Sequence, residues 1–332
     1  MRYTKPPYQL NSTIFDTSLK LQQILGELNT FELVKPSIQL RKENKIKTIH
    51  HSLAIEGNSF SIEHITAILE NKKVIGSKKE IIEVTNALQV YEDLSKFNPL
   101  KEIDLKKAHK TLTSNLVTEA GRYRKGNVGI LKGSKVGHMA PQPKLVPKLM
   151  GDLFAYLADP REKSFLIKAC VFHYELEFVH PFEDGNGRMG RLWQQLLLMQ
   201  HSAVFQFIPV ETLIHQNQKK YYQVLEKCDK AGDSTLFIQF SLELILRALA
   251  EFQKSYKPNR IVGKDRILIA MSKLNEDFFS RSEYLALFPG LSTATASRDL
   301  AAAVQANQLK ITGEKSQAKY QILAGGMAVG RK

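Results

Sequence analysis

Apolar residues recur three and four positions apart along most of this chain, which is the spacing that places them on one face of a helix. The helices predicted in this way span residues 18–33, 47–55, 62–70, 79–94, 104–116, 145–157, 162–178, 188–201, 218–231 and 235–253. We therefore expect a mainly α protein whose core is formed by packed helices.

One stretch interrupts the helical pattern. Residues 127–131 and 135–139 are short, β-prone segments, and glycines lie between and beside them. The glycines are Gly126, Gly129, Gly133 and Gly137. We expect a β-hairpin that turns at 132–134 and projects from the helical body.

The last third of the chain has a different organisation. A short polar segment at 256–262 with Pro258 is typical of a linker. Three helices (264–274, 280–287 and 292–306) and two strands (309–312 and 319–323, with a turn at 313–317) are predicted after it. This order is that of a small winged-helix domain, and its third helix, which carries Arg298, resembles a recognition helix. DNA contact and dimerisation both remain open for it.

Composition narrows the class of protein. The 332 residues are 43% apolar and 24% charged, which is typical of a folded, soluble protein, and the length favours two domains. Cys170 and Cys228 both fall in predicted helices, so free thiols are expected and a disulfide scaffold is excluded. The start of the chain lacks an apolar signal core, and no stretch is apolar enough for a membrane helix. We expect a cytoplasmic protein without a membrane partner.

The formal net charge is +14, and it is concentrated in two regions. Residues 121–148 hold seven basic and no acidic residues, and residues 257–332 hold twelve basic and six acidic residues. The first region coincides with the predicted hairpin and the second with the C-terminal domain, so the two need not serve one purpose.

The chemistry is concentrated between His180 and Arg191, in a loop that joins two apolar helices. A helix N-terminus offers unpaired N–H groups and a positive dipole end, which suit a phosphate. Gly185 and Gly187 would let anionic oxygens approach the backbone. Arg188 and Arg191 lie three apart on one helix face and would give two cationic forks for a polyphosphate.

Two further side chains complete this prediction of a nucleotide-transfer site. Asp184 supplies a carboxylate that could hold Mg²⁺ beside the phosphates, and His180 can accept a proton near neutral pH. Gly185, Gly187 and Gly190 also fit the dinucleotide pattern G-x-G-x-x-G, but that pattern requires a preceding strand, and a helix precedes it here. A plain polar turn would not need this set of residues together.

The segment resembles the Fic (filamentation induced by cAMP) family, whose signature H-x-F-x-[DE]-G-N-G-R-x-x-R it matches at every defining position. The resemblance covers about residues 46–253. It implies a helical Fic core with a β-hairpin flap and transfer of AMP from ATP to a Ser, Thr or Tyr hydroxyl of a target protein, with release of pyrophosphate. The protein itself is also among the expected targets.

The resemblance also implies roles for individual residues. His180 would be the base and Asp184 the Mg²⁺ ligand. The nucleotide would be bound by the remaining motif positions, Gly185, Asn186, Gly187, Arg188, Met189, Gly190 and Arg191. Gly185, Asn186 and Gly187 would form the anion hole, and the two arginines would bind the β- and γ-phosphates. The phosphorylating Doc toxins have lysine at the position of Gly187, so this glycine favours AMP transfer.

The flap implied by the resemblance spans about residues 127–140 and would lay the target segment in place by strand addition. The flap residues nearest the nucleotide would be Val136, Gly137, His138 and Met139. Asn217, Tyr221 and Tyr222 fall where family members line the adenine pocket, although core packing is an alternative for the two tyrosines.

An upstream segment, residues 52–58, matches the family's inhibitory pattern [ST]-x-x-x-E-[GN]. Ser52 and Glu56 lie four apart on one face of a helix that Gly57 then ends. If Glu56 pairs with Arg191, that arginine cannot hold the γ-phosphate, and ATP would bind unproductively. A solvent-facing glutamate at a helix end is the alternative.

Together these features predict an N-terminal helical region (1–100, with the inhibitory helix at about 47–57), a Fic core (101–255) and a winged-helix domain (260–325). The expected function is that of a self-inhibited protein adenylyltransferase that uses ATP and Mg²⁺. A DNA-binding regulator with a nucleotide-sensing Fic domain and a Fic enzyme that removes AMP are the alternatives.

Overall fold

The computed structural model describes residues 4–28, 38–132, 135–162, 164–255, 262–274, 278–288, 290–313 and 318–323. They belong to two compact units, residues 1–256 and 257–332. Helices predominate in both units, which confirms the expectation of a mainly α fold. Within the described ranges, none of the helices has the length and apolarity needed to span a membrane.

The first unit is a helical bundle with one β-hairpin. The hairpin pairs β1 (Gly129–Lys132) with β2 (Lys135–Met139) in antiparallel fashion. The helices are α1 (Ser12–Glu27), α2 (Ile38–Ile55), α3 (Ile62–Leu69), α4 (Lys78–Glu92), α5 (Glu102–Leu112), α6 (Val146–Ala158), α7 (Phe165–Val179), α8 (Asn186–Met199), α9 (Val210–Gln216), α10 (Gln218–Ala231) and α11 (Thr235–Ser255).

Helices α7 and α8 form the centre of this bundle. Most of α7 is apolar and buried, as expected of a helix surrounded by others. Trp193 on α8 is fully buried and donates from Nε1 to the carbonyl of Pro99 at 3.0 Å. Gly190 permits close packing, because a Cβ there would lie 2.7 Å from Cδ2 of His173 on α7. The loop that joins the two helices is thus fixed at both ends by the core.

Several predicted boundaries were wrong. Helix α2 begins at Ile38, not at residue 47, and α1 begins at Ser12, where the side chain of Asn11 accepts from the amide of Ile14. Helix α7 begins at Phe165 because Ser164 caps it, and α9 was not predicted. Residues 29–33, the predicted end of the first helix, lie outside the described residues, as do 133–134 of the hairpin turn.

The second unit contains α12 (Gly263–Lys273), β3 (Phe278–Ser280), α13 (Arg281–Ala286), α14 (Thr293–Gln305), β4 (Leu309–Thr312) and β5 (Lys319–Ile322). The strands form an antiparallel sheet in the order β3–β5–β4. Buried Asp299 accepts from Arg266 at 2.7 Å and from the hydroxyl of Tyr284 at 3.0 Å, which joins all three helices. Strand β3 was not predicted. Residues 256–261 of the expected linker (256–262) and turn residues 314–317 lie outside the described residues.

Candidate functional site

The loop between α7 and α8 turns sharply at both ends. His180 ends α7 in the left-handed conformation, with φ 45° and ψ 60°, and Gly185 begins α8 with φ 81°. A left-handed backbone is strained for histidine, so the surrounding contacts must hold it. The side chain of Asn186 holds the loop from inside, because its Oδ1 accepts from Phe182 N and its Nδ2 donates to Phe182 O, both at 2.9 Å.

The first turn of α8 therefore lies at the loop, where its amides could bind an anion. Its leading amides have no partner within a helix, and the positive end of the helix dipole lies there. Gly187 is partly exposed at this turn. Met189, in contrast, lies fully in the core, and Gly190 packs against His173, so neither adds a side chain to the site.

His180 is half-buried and oriented by its own helix. Its Nδ1 lies 3.3 Å from the carbonyl oxygen of Glu177. With Nδ1 donating to that carbonyl, the neutral ring carries its acceptor lone pair on Nε2. This is the tautomer that a general base requires.

Asp184 is an ionised carboxylate at the exposed side of the loop. Its Oδ1 accepts from the amide of Gly185 at 2.6 Å and from Arg188 Nη2 at 3.1 Å. Burial acts to raise the pKa of Asp184, but the guanidinium of Arg188 and the amide of Gly185 outweigh it and hold that pKa below its ordinary value. The side chain remains 47% exposed.

A single accessible carboxylate fits Mg²⁺, which proteins commonly bind through one or two carboxylates with substrate phosphates and water. In the part of the chain that the structure describes, no group of three or more His, Cys, Asp or Glu side chains could hold a metal ion. A cation at Asp184 would therefore take its other ligands from phosphate oxygens and water.

The guanidinium of Arg188 does not extend toward the exposed side of the loop. Its side chain is 4% exposed, with Nη1 at 3.6 Å from Oε1 of Glu83 on α4 and Nη2 at 3.1 Å from Asp184. Glu83 in turn accepts from Nδ2 of Asn58 at 2.8 Å. The arginine thus bridges the loop carboxylate and a buried glutamate, and the predicted pair of parallel forks is not formed in this structure.

Arg191 is held by the upstream helix α2. It donates from Nε to Ser52 Oγ at 3.1 Å, and from Nη2 to Ser52 O at 2.9 Å and to Glu56 Oε1 at 2.8 Å. The arginine is fully buried, whereas the Glu56 side chain is 35% exposed. Gly57 follows with φ 92° and ends α2, as the inhibitory pattern predicts. Nη1 of Arg191 has no hydrogen-bond partner among the described residues, so a donor remains for an anion.

Glu56 also covers Gly187. A Cβ on this glycine would overlap Oε1 of Glu56 and lie 3.1 Å from both Arg191 Nη1 and Glu177 Oε1. The carboxylate of Glu56 therefore lies against Gly187 in the first turn of α8, next to Arg191.

A family model described as "Fic/DOC family" matches residues 99–198. The crystal structure of a Fic family protein from Desulfovibrio desulfuricans G20 is 34% identical, with a TM-score of 0.73 over 97% of this chain and 99% of that one. The chain belongs to the Fic family.

Curated Fic proteins are also similar. "Protein adenylyltransferase Fic" of Culex quinquefasciatus is 31% identical over 63% of this chain and 41% of its own length. "Protein adenylyltransferase fic-1" of Caenorhabditis briggsae is 30% identical over 75% of this chain and 50% of its own length. The chain thus spans half or less of the length of these relatives.

The Fic hairpin is present where it was expected. Gly129 pairs with Met139, Ile130 with His138 and Leu131 with Val136, so Gly137 is the extra residue of a bulge in β2. The side chains of residues 129–139 lie outside the described part of the chain, so the predicted proximity of Val136, Gly137, His138 and Met139 to a nucleotide stays a prediction.

The residues predicted for the Fic adenine pocket are divided between two roles. Tyr221 is fully buried and donates to Glu177 Oε1 at 3.0 Å, so it is part of the core, the alternative that the sequence left open. Tyr222 is half-buried and donates to the carbonyl of Ile55 at 3.3 Å, as does Gln218 at 2.8 Å. Asn217 donates to Leu213 O at 2.8 Å within its own turn. This surface therefore holds the end of α2, directly before Glu56.

Two buried residues that support the Fic loop were missed by the sequence analysis. His109 on α5 has Nε2 at 2.9 Å from Asp184 O, accepts from Gly121 N at 2.9 Å and stacks on Phe182. Burial lowers the pKa of His109 to about 4, so the ring is neutral. Arg124 binds the other end of the loop. Their partners are main-chain atoms, which leave no signal in the sequence.

Proposed function

We propose that this Fic protein is a protein adenylyltransferase, which transfers AMP from ATP to a hydroxyl side chain of a target protein and releases pyrophosphate. The observation that carries the proposal is the placement of His180 beside the amide-lined first turn of α8, with the Asp184 carboxylate between them along the loop. Base, metal ligand and anion site are thus adjacent. The names of the curated relatives support the same activity.

The chain's own groups suggest how the transfer proceeds. Nε2 of His180 takes the proton of the target hydroxyl as its oxygen attacks the α-phosphorus, and the bond to the β-phosphate oxygen breaks. The amides of Gly187 and its neighbours bind phosphate oxygens, and Arg191 would pair with a terminal phosphate once released from Glu56. Mg²⁺ at Asp184 would neutralise phosphate charge and orient the leaving pyrophosphate.

The pairing of Glu56 with Arg191 supports self-inhibition as part of this function. The carboxylate accepts from Nη2 of the arginine and covers Gly187, so a triphosphate cannot place its terminal phosphate there. Productive geometry matters, because misplacing the reacting atoms by about 1 Å can cost roughly 10²-fold in rate. Glu56 would therefore hold the enzyme in a state of low transfer activity.

The test is labelling of a lysate with ATP that carries a tag on the α-phosphate, followed by mass spectrometry of the labelled proteins. Tagged Ser, Thr or Tyr residues are expected with Glu56→Gly, at a lower level with the native protein, and are absent when His180→Ala is combined with Glu56→Gly. ATP binding should persist in His180→Ala, because the phosphate contacts come from other residues. Labelling retained in His180→Ala would overturn the role of the histidine.

Removal of AMP is the alternative direction at the same site, with Glu56 orienting a water molecule. It predicts that Glu56→Gly lowers AMP release from a modified target instead of raising transfer. Measuring both rates on one modified target separates the two directions. The two cysteines, which are buried and free, suit a reducing compartment such as the cytoplasm for either reaction.

One observation favours DNA binding by the second unit, which we interpret as a winged helix. Arg298 is exposed on α14, and Ser292, Thr293 and Thr295 lie in the helix's first turn or directly before it. Such a face suits a groove of DNA. Arg298→Ala should then weaken salt-dependent binding to duplex DNA, with Arg122→Ala in the first unit as control. Equal binding by both variants would contradict this function.

A further inference from the structure

Arg124 is a buried cation whose guanidinium, among the described residues, donates to main-chain oxygens. It is 5% exposed, and its guanidinium donates to the carbonyls of His180 at 2.7 Å, Gly126 at 2.9 Å, Pro141 at 2.6 Å and Val179 at 3.2 Å. Burial lowers its pKa. Burying a guanidinium is costly unless its donors are satisfied, so this arrangement of acceptors is a specific one.

The acceptors fall in two groups that are distant in the sequence. Gly126 and Pro141 flank the β1–β2 hairpin on its two sides, close to the paired positions Val128 and Ala140, where the amide of Ala140 donates to Val128 O at 3.2 Å. The other acceptors lie at the end of α7. The planar guanidinium of Arg124 therefore joins both ends of the hairpin to the loop between α7 and α8.

At the loop, Arg124 binds three consecutive carbonyls. Its guanidinium donates to the carbonyls of Val179 and His180, and its backbone amide donates to Pro181 O at 2.9 Å. These carbonyls surround the strained left-handed backbone of His180, whose φ is 45°. A non-glycine residue stays in this conformation only where the surroundings hold it. Arg124 is therefore a main contributor to the direction in which the imidazole points.

We propose that Arg124 is a positioning residue that fixes the His180 ring relative to the hairpin, so that a hydroxyl held along the hairpin arrives at Nε2. The inference rests on the proposed function, because it takes His180 as the base. It assigns Arg124 no contact with ATP or with the target. The positioning acts on the transfer step, while the amides of α8 would bind the phosphates independently of it and Asp184 would hold Mg²⁺ beside them.

Arginine suits this position for a geometric reason. Its fork donates in several directions of one plane, whereas lysine donates from a single nitrogen and cannot reach carbonyls on both sides. Arg124→Lys keeps the charge and removes the bridge. Arg122→Lys is the matched control, since Arg122 lies two residues away, is exposed and is paired at the surface with the carboxylate of Glu119 at 3.5 Å.

Both substitutions are placed in a Glu56→Gly background, and two quantities are measured. The dissociation constant of a non-hydrolysable ATP analogue should stay within about threefold in Arg124→Lys. The kcat for AMP transfer should fall by roughly 10²-fold, as expected for a displaced reacting group. A kcat equal to that of Arg122→Lys, or an equal loss of kcat and of nucleotide affinity, would overturn the proposal.

Hydrogen exchange provides a readout that needs no turnover. Peptides covering residues 126–141 and 179–183 should exchange faster in Arg124→Lys than in Arg122→Lys. Unchanged exchange in both segments would overturn the positioning role of Arg124, whatever reaction the enzyme catalyses. Absence of AMP transfer in the Arg122→Lys control would instead refute the proposed function, so the two failures differ.

A second variant keeps Arg124 and covers the case in which Arg124→Lys does not fold. One glycine is inserted between exposed Asn127 and half-buried Val128, outside the four residues whose carbonyls bind Arg124, and is designed to shift the hairpin relative to them. Nucleotide affinity should be retained, and kcat should fall by at least 10-fold. Full transfer activity with this insertion would contradict the positioning of target and base through Arg124.

Discussion

Oε1 of Glu56 lies 2.8 Å from Nη2 of Arg191, although 135 positions separate the two residues in the sequence. The arginine is fully buried, and its remaining contacts on this side are the hydroxyl and carbonyl oxygens of Ser52. A charge-assisted hydrogen bond of this kind both neutralises a guanidinium and fixes its direction. Predictions about activity and stability follow from this one pair.

Glu56→Gly should increase AMP transfer, by roughly 10²-fold if the triphosphate then reaches Arg191. The measurement is self-labelling and labelling of lysate proteins with ATP and Mg²⁺. Glu70→Gly is the control, since Glu70 also directly follows a helix end but lies on the surface with Lys42 and Lys72. Glu56→Gly combined with His180→Ala should be inactive. Unchanged or lower activity of a folded Glu56→Gly protein would contradict inhibition.

The same substitution should make the nucleotide-free protein less stable. Among the described residues, Ser52 is then the one remaining hydrogen-bond partner of the buried Arg191 guanidinium. Loss of a fully buried partner costs roughly 3–5 kcal/mol, and the 35% exposure of Glu56 reduces the expected loss to roughly 1–3 kcal/mol. A triphosphate would replace the carboxylate, so a non-hydrolysable ATP analogue should raise the Tm of Glu56→Gly more than that of the native protein. Equal increases in Tm would show that Arg191 does not meet the phosphates.

Gly187→Ala should be most destabilising while Glu56 is present. The added Cβ would overlap the Glu56 carboxylate, and crowding of this kind costs roughly 1–3 kcal/mol. In a Glu56→Gly background the loss should drop below about 1 kcal/mol, which a double-mutant cycle by urea denaturation measures. Gly151→Ala on α6, where nothing lies within 4 Å of the new Cβ, should instead stabilise by roughly 0.5–1 kcal/mol. Additive losses at Gly187 and Glu56 would contradict the overlap.

His109 should make stability depend on pH. Burial lowers its pKa to about 4, against about 6.5 in an unfolded chain. Between these values the unfolded chain binds a proton that the folded protein does not, so the free energy of unfolding falls as the pH falls from about 6.5 toward 4. From pH 7 to pH 5 this amounts to roughly 1–2 kcal/mol. His109→Gln should show a correspondingly smaller loss in urea denaturation at the two pH values, and an identical loss would refute a neutral buried ring.

The parts of the site that the sequence predicts are those encoded in local spacing. The run from His180 to Arg191 carries its chemistry in twelve consecutive positions, and the four-residue spacing of Ser52 and Glu56 indicates which helix face meets the arginine. Both predictions concern side chains that a short pattern places together. The structure describes these positions, and it brings Glu56 to Arg191.

The orientation of Arg188 could not be predicted in the same way. Helical spacing places it beside Arg191, but its direction depends on Glu83, which lies on α4 and approaches only in the folded protein. Arg124 and His109 were missed for another reason. Their partners are carbonyl and amide groups of the main chain, which every residue possesses, so no residue type in the sequence marks the contact.

The bonds of Gln218 and Tyr222 to the carbonyl of Ile55 connect the end of α2 to α10, in the same polypeptide as Arg191. Because the glutamate is tethered, its effective concentration at the arginine does not change when the protein is diluted. The fraction of molecules with Arg191 released is then set by a unimolecular equilibrium constant. It is the same at nanomolar and at micromolar protein. A bound molecule changes that fraction only if its affinities for the two forms differ, and the change is limited by that difference in affinity.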